Sequence, residues 1–153
     1  MTMMGPTARL AKIGAFIAAA PDRLPDRVSR EVERVVLPLI KAGFATSSDP
    51  YGKAWDQPKA GNKPLVKTGK GKREYEVIRL VSGGRWVIVA SNNARSRGGR
   101  YYMGILQAGF RHRGGSFVAA RKQVPDGQNV GRWKEPLTAA GIKGGAEWAK
   151  AAP

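Results

Sequence analysis

The chain has no cysteine in its 153 residues. Disulfides, thiolate zinc sites, iron–sulfur clusters and cysteine nucleophiles are thereby excluded. Histidine is almost as scarce, with His112 the only one. One imidazole without a thiol is too little for a transition-metal site or a histidine-based triad, and in its basic segment His112 reads as a solvated surface residue. Apolar runs are short. None reaches the roughly 18 residues of a membrane span, and the nearest, residues 11–20, is interrupted by Lys12 and Gly14. Residues 1–6 show no basic cluster and no cleavage site, so no signal peptide is expected and the protein is placed in a reducing cytoplasm.

Negative charge is the third shortage. Eleven Asp and Glu stand against 27 Lys and Arg, a formal net charge of +16. The acids are dispersed along the chain. Glu31 and Glu33, two apart on a helix, do not face together; near a helix start they suit its dipole instead. Ser82, Ser91 and Ser96 have no evident base partner. Gly69-Lys70-Gly71 lacks the hydroxyl residue that a phosphate loop needs after its lysine, and no apolar strand leads into it. No catalytic residue, metal ligand or cofactor is expected, and the chain is read as a non-enzyme.

What is present suffices for a core. At 42% hydrophobic, the chain suits one domain over residues 1–153. Its 20 glycines and 10 prolines imply long loops beside that core. The expected fold is α+β: N-terminal helices packed on a small antiparallel sheet with a β-hairpin, a long basic loop or arm, and a C-terminal helix. The helices occupy residues 7–43. Leu10, Ile13 and Ile17 mark one face of the first, which Phe16 extends and Pro21 stops. Residues 21–25 read as a punctuated linker. A second helix then runs from Asp26, as N-cap, to Ala42. It carries Val28, Val32, Val35, Val36 and Leu39 on one face, a kink at Pro38 and a stop at Gly43.

Residues 45–74 lack periodicity and read as a basic, partly extended arm. Residues 75–127 form the sheet region. Strands at 75–81 and 85–91 are joined by Gly83-Gly84, which suits a tight turn with positive φ. Trp86, Ile88 and Ala90 share one strand face; Val87 and Val89 share the other. One face is expected to pack on the helices while the other meets something else. A short helix within 101–108 ends at Gly109, and a third strand lies within 116–124. Residues 132–151 form the C-terminal helix, weakened by Gly141, Gly144 and Gly145.

The charge is uneven. Residues 1–50 carry 7 basic and 5 acidic groups, residues 51–100 carry 12 and 3, and residues 101–153 carry 8 and 3. The excess lies in the loops, at Lys53, Lys59, Lys63, Lys67, Lys70, Lys72, Arg73, Arg95, Arg97, Arg100, Arg111 and Arg113. These are the candidate contacts to DNA or to an acidic partner, without sequence readout. Tyr51, Trp55, Tyr75, Trp86, Tyr101 and Tyr102 flank them, and are read as core anchors in preference to stacking platforms.

Four short stretches, in order across about residues 44–127, carry a family pattern. Phe44 precedes Asp49-Pro50-Tyr51-Gly52-Lys53-Ala54-Trp55, an aromatic helix end followed by Asp-Pro-x-Gly-x-x-Trp. Leu65-Val66-Lys67-Thr68-Gly69 precedes the hairpin. Tyr101-Tyr102-Met103-Gly104-Ile105-Leu106-Gln107-Ala108-Gly109 is similar to a Tyr-Ala-x-x-His-Gln-x-Gly segment, and Ala119-Ala120-Arg121 leads to Pro125-Asp126-Gly127. Together they resemble the virion-morphogenesis or tail-completion proteins of tailed bacteriophages, which include neck and tail-terminator components. The sequence departs from the pattern at Lys70-Gly71, Leu106 and Lys122. The resemblance implies a non-catalytic α+β subunit of a homo-oligomeric ring at the head–tail junction. Its structural residues would be Asp49, Pro50, Gly52, Trp55, Thr68, Gly69, Tyr102, Gln107, Gly109 and Arg121. Its partners would be adjacent neck, connector and tail proteins, with possible non-specific contact to genomic DNA and none to a membrane. Its place would be the virion, after assembly in the host bacterial cytoplasm. The alternative is a free, sequence-independent nucleic-acid-binding protein that uses the basic arms.

Overall fold

The computed structural model describes residues 6–56, 70–95, 99, 101–111, 117–118 and 120–153. Within these the chain is α+β. Its helices are α1 (Pro6–Ala18), α2 (Ala20–Thr46), α3 (Lys70–Arg73), α4 (Met103–Ala108) and α5 (Lys134–Ala149), the last entered through a 3-10 turn at Gly131–Trp133. Strand β1 (Tyr75–Ser82) pairs antiparallel with β2 (Arg85–Asn92), and β3 (Phe110–Arg111) with β4 (Phe117–Val118), as two separate two-stranded sheets.

Helix α2 has 27 residues and so is about 40 Å long. It begins earlier than the sequence suggests, because residues 21–25 are helical and not a linker. Pro21 falls in the first turn, where a missing N–H removes no helical bond. Arg23 N already donates to Ala19 O at 3.0 Å. Pro25 and Pro38 lie inside the helix. Each forgoes one backbone bond, and tertiary packing outweighs that loss. Asp26 is therefore an interior residue and not an N-cap. The helix also passes Gly43 and ends at Thr46, capped by Ser47, whose φ of 53° is left-handed, as Ser48 N returns to Gly43 O at 3.1 Å. Glu31 and Glu33 sit too deep in α2 for the dipole role. They serve different neighbours, Lys143 of α5 at 2.8 Å and Arg79 of β1 at 3.4 Å.

Two sides of α2 are covered. On one, α5 crosses at Gly144, where an added Cβ would lie 2.6 Å from Val28 Cα. The glycine that should weaken α5 thus permits its closest approach to α2. On the other side Ser29, Val36, Ile40 and Phe44 are buried, joined in the core by Trp55, Tyr75, Ala94, Met103 and Trp133. Phe44 meets Trp55 edge-on at 5.5 Å and Tyr75 at 6.0 Å. These aromatics are core anchors, whereas Tyr101 stays half exposed.

Helix α1 is tied down by Phe16, stacked on Trp148 of α5 at 4.3 Å. Leu10 and Ile17 of its expected buried face are 67% and 62% exposed. The β1–β2 hairpin pairs Tyr75 with Asn92 through Ser82 with Arg85. Gly83 and Gly84, at φ 56° and 71°, make its two-residue turn. The third strand shrinks to Phe117–Val118. Residues 120–126 form neither helix nor strand, because their backbone groups bond to side chains and loops, as set out below. Within the expected arm, residues 47–56 fold into a tight loop and Lys70–Arg73 is a helical turn with Gly71 buried.

Candidate functional site

Segments far apart in sequence meet beside the core and join three of the four motif stretches. The first is the loop after α2. Asp49 Oδ1 accepts hydrogen bonds from Tyr51 N at 2.9 Å and Lys53 N at 2.7 Å. Gly52, at φ 93°, closes the turn. Buried Pro50 presents its carbonyl to Arg132 N at 2.7 Å, which fixes the loop to the start of the C-terminal helix.

The second and third segments are α4 and residues 121–126. Gln107 of α4 acts as a strand partner would. Its Nε2 donates to Val124 O at 2.7 Å, and its Oε1 accepts from Gln123 N at 2.6 Å. Arg121 N donates to Leu106 O at 2.7 Å, and Arg121 Nη2 donates to Asp56 O at 3.2 Å. Trp55 Nε1 donates to Lys122 O at 3.2 Å. Tyr75 OH donates to buried Gln123 Oε1 at 3.0 Å, and burial pushes the Tyr75 phenol up to about 12. At the outer rim, Tyr51 OH donates to Asp126 Oδ1 at 2.8 Å and Lys122 pairs with Asp126 at 2.8 Å. The Lys122 hydrogen bond holds the Asp126 carboxyl below the usual range.

Asp49, Pro50, Gly52, Trp55, Gln107 and Arg121 are thus brought together. Tyr102 and Gly109 bracket α4, with Gly109 at φ 77°. Burial first, then the nearby Glu74 charge, raises the Tyr102 phenol. Thr68 and Gly69 lie outside the described residues. Every motif residue placed here holds the fold, and the bonds they make are the sort that buried backbone requires.

Among the described residues, the candidate basic contacts do not converge in the same way. Lys70 Nζ donates to Arg95 O at 3.3 Å, and the Arg95 guanidinium stacks 4.2 Å over Tyr101. Lys72 and Arg73 share α3 with Lys70. Lys53 is exposed on the separate loop after α2, and Arg111 is exposed in β3. Lys59, Lys63, Lys67, Arg97, Arg100 and Arg113 lie outside the described residues.

Sequence reasoning missed two features. Arg79 lies on the helix-facing side of β1, with its side chain only 15% exposed. It pairs with Asp26 and Glu33 and stacks 4.2 Å over Trp86. The signal was available: strand alternation puts Arg79 in register with Tyr75 and Val77, and a buried cation demands acids opposite. The second is a row of arginines on α2, readable from its helical spacing.

The other hairpin face carries Ile78, Leu80 and Val87, exposed by 48%, 37% and 37%. Near its tip the inner face also parts from α2, leaving a cleft of about 720 Å³ walled by Pro21, Pro25, Val28, Val81 and Trp86. Among the described residues no group of three or more His, Cys, Asp or Glu could hold a metal ion. Among them, too, no helix is long and apolar enough to cross a membrane. No protein-family model, curated protein or solved structure matches the chain.

Proposed function

We propose that the chain is a structural, non-catalytic subunit of an oligomeric ring at the head–tail junction of a tailed bacteriophage, acting as a neck, tail-completion or tail-terminator component. The observation that carries this reading is the outer hairpin face. Ile78, Leu80 and Val87 line one side of a two-stranded sheet that gains no third strand among the described residues. A contiguous apolar strip of this kind suits a protein interface. Full burial of such a side chain stabilises by about 1.5 to 3 kcal/mol, so covering the part still exposed adds roughly 2 to 4 kcal/mol per interface. The motif residues support the reading differently. Their resemblance is to that phage group, and Asp49, Pro50, Gly52, Trp55, Gln107 and Arg121 share one hydrogen-bonded unit with residues 121–126, which Gln123 ties to the hairpin at Tyr75. In a closed ring each contact is head-to-tail and repeats by rotation. The partners would be identical subunits and the neighbouring neck, connector and tail proteins, with genomic DNA passing the basic surface inside the virion.

The net charge of +16 favours a second reading, a free nucleic-acid-binding protein using the basic arms. Sedimentation velocity separates the two. Under the first, the purified chain forms a discrete ring-sized species, and Ile78→Glu with Val87→Glu returns it to monomer without unfolding it. A wild-type chain that stays monomeric at high concentration yet binds DNA tightly would favour the second.

A further inference from the structure

Arg23, Arg27, Arg30 and Arg34 recur along α2 at intervals of four, three and four. That spacing puts them on one stripe, about 16 Å from first to last at the helical rise. All four are exposed. The first three wall a pocket of about 300 Å³ where α1, α2 and the end of α5 meet, closed by Phe16 and Trp148. The last three, with Lys143, Glu31 and Glu147, wall a second pocket of about 330 Å³ further along.

The acids facing this stripe are already engaged. Asp26 is shared between Arg30, at 3.0 Å, and Arg79. Glu31 is shared between Arg34 and Lys143, the latter at 2.8 Å. Glu147 holds Lys150 at 2.9 Å. The side chains of Arg23 and Arg27 are left with no ion-pair or hydrogen-bond partner among the described residues. In the wall of the first pocket, the Trp148 indole has a buried Nε1–H with no acceptor. The two pockets hold more cations than acids, and each acid in them is already paired.

We propose that this α2 stripe is a phosphate-binding surface that takes the backbone of duplex DNA. A guanidinium fork matches phosphate oxygens in pairs. Two arginine-lined pockets in succession along one rod suit a polymer of phosphates better than a single small anion. Phe16 and Trp148 stack on each other at 4.3 Å, so one face of each ring is already covered. No other aromatic lines either pocket, so the successive stacking platforms that single strands use do not run along this stripe, which favours a duplex bound through its backbone. The site lies within one chain and needs no ring, so it stands or falls apart from the assembly reading.

The test is the salt dependence of binding to a 20-base-pair duplex of arbitrary sequence, for the full chain and for Arg23→Gln with Arg27→Gln. Each phosphate left without its arginine flattens the slope of log K against log salt by about 0.9. The double variant should therefore be flatter by about 1.8. Over a four-fold rise in salt, wild type should lose roughly 12-fold more affinity than the variant. A folded variant with an unchanged slope overturns the proposal. A second measurement uses wild type alone: duplex should protect Arg23 and Arg27 from phenylglyoxal, read by peptide mass spectrometry. Absence of protection by duplex overturns the proposal even if the variant fails to fold. Protection by phosphatidylglycerol vesicles or polyglutamate in place of duplex overturns it as well.

Discussion

Gly144 and Gly145 are neighbours in α5 with opposite surroundings. An alanine Cβ at 144 would lie 2.6 Å from Val28 Cα and 3.0 Å from Arg27 O, whereas at 145 it meets nothing within 4 Å. The atoms in the way at 144 are backbone and cannot swing aside. Ordinary contact begins at 3.4 Å, so α5 must retreat by about 0.8 Å, a gap that forfeits a quarter to a half of each displaced dispersion contact. Overpacking of this kind costs about 1 to 3 kcal/mol. Both substitutions gain the same helix propensity, about 0.8 to 1 kcal/mol, so their difference isolates the packing. Gly145→Ala should stabilise by up to about 1 kcal/mol, and Gly144→Ala should fall below it by about 1 to 3 kcal/mol. Urea unfolding with matched m-values is the assay. If the two variants were equally stabilised, α5 would not cross α2 at residue 144, and the account of the helix pair would be wrong.

Three further outcomes are expected. Gln107→Leu strips two backbone groups of partners and leaves buried Gln123 N unsatisfied, so urea unfolding should show a destabilisation of about 2 to 4 kcal/mol; one under about 0.5 kcal/mol would deny Gln107 its strand-like role. The Arg79 hydrogen bond holds the Asp26 carboxyl below the usual range. A depressed folded value gives stability that is present above the unfolded value, near pH 4, and lost as pH falls through the lower folded one. Wild type should therefore lose stability below about pH 4 more steeply than Asp26→Asn in acid unfolding curves, and parallel curves would show the pairing to be inert. Tyr75 is pushed up to about 12. A raised folded value gives stability that is complete below the unfolded value, near pH 10, and lost as pH rises toward the folded one. Alkaline unfolding should thus be shallower in Tyr75→Phe than in wild type, and equal slopes would contradict the burial.

The hairpin was legible because alternation and Gly83-Gly84 act locally, and the observed strands differ from the expected ones by a residue at one end of each. Residues 21–25 were not, because a proline in the first turn of a helix looks the same in sequence as one that ends it. The buried stripe of α2 was placed only in part, since two packing faces blur one period. The motif stretches were visible as stretches, but their convergence was not: Trp55 bonds to Lys122 and Arg121 to Asp56, across more than 60 residues. Segment arithmetic also misled. A net charge of only two over residues 1–50 hid the arginine row, because the neutralising acids point partly toward Arg79 and Lys143.

The central claim is that the outer hairpin face is a subunit boundary in a ring. Electron microscopy of the purified assembly, carried to a resolution that places the hairpin, tests it most directly. The account predicts a closed ring in which Ile78, Leu80 and Val87 are covered by the adjacent copy. A ring that leaves those side chains in solvent, or particles that are monomeric throughout, would contradict it.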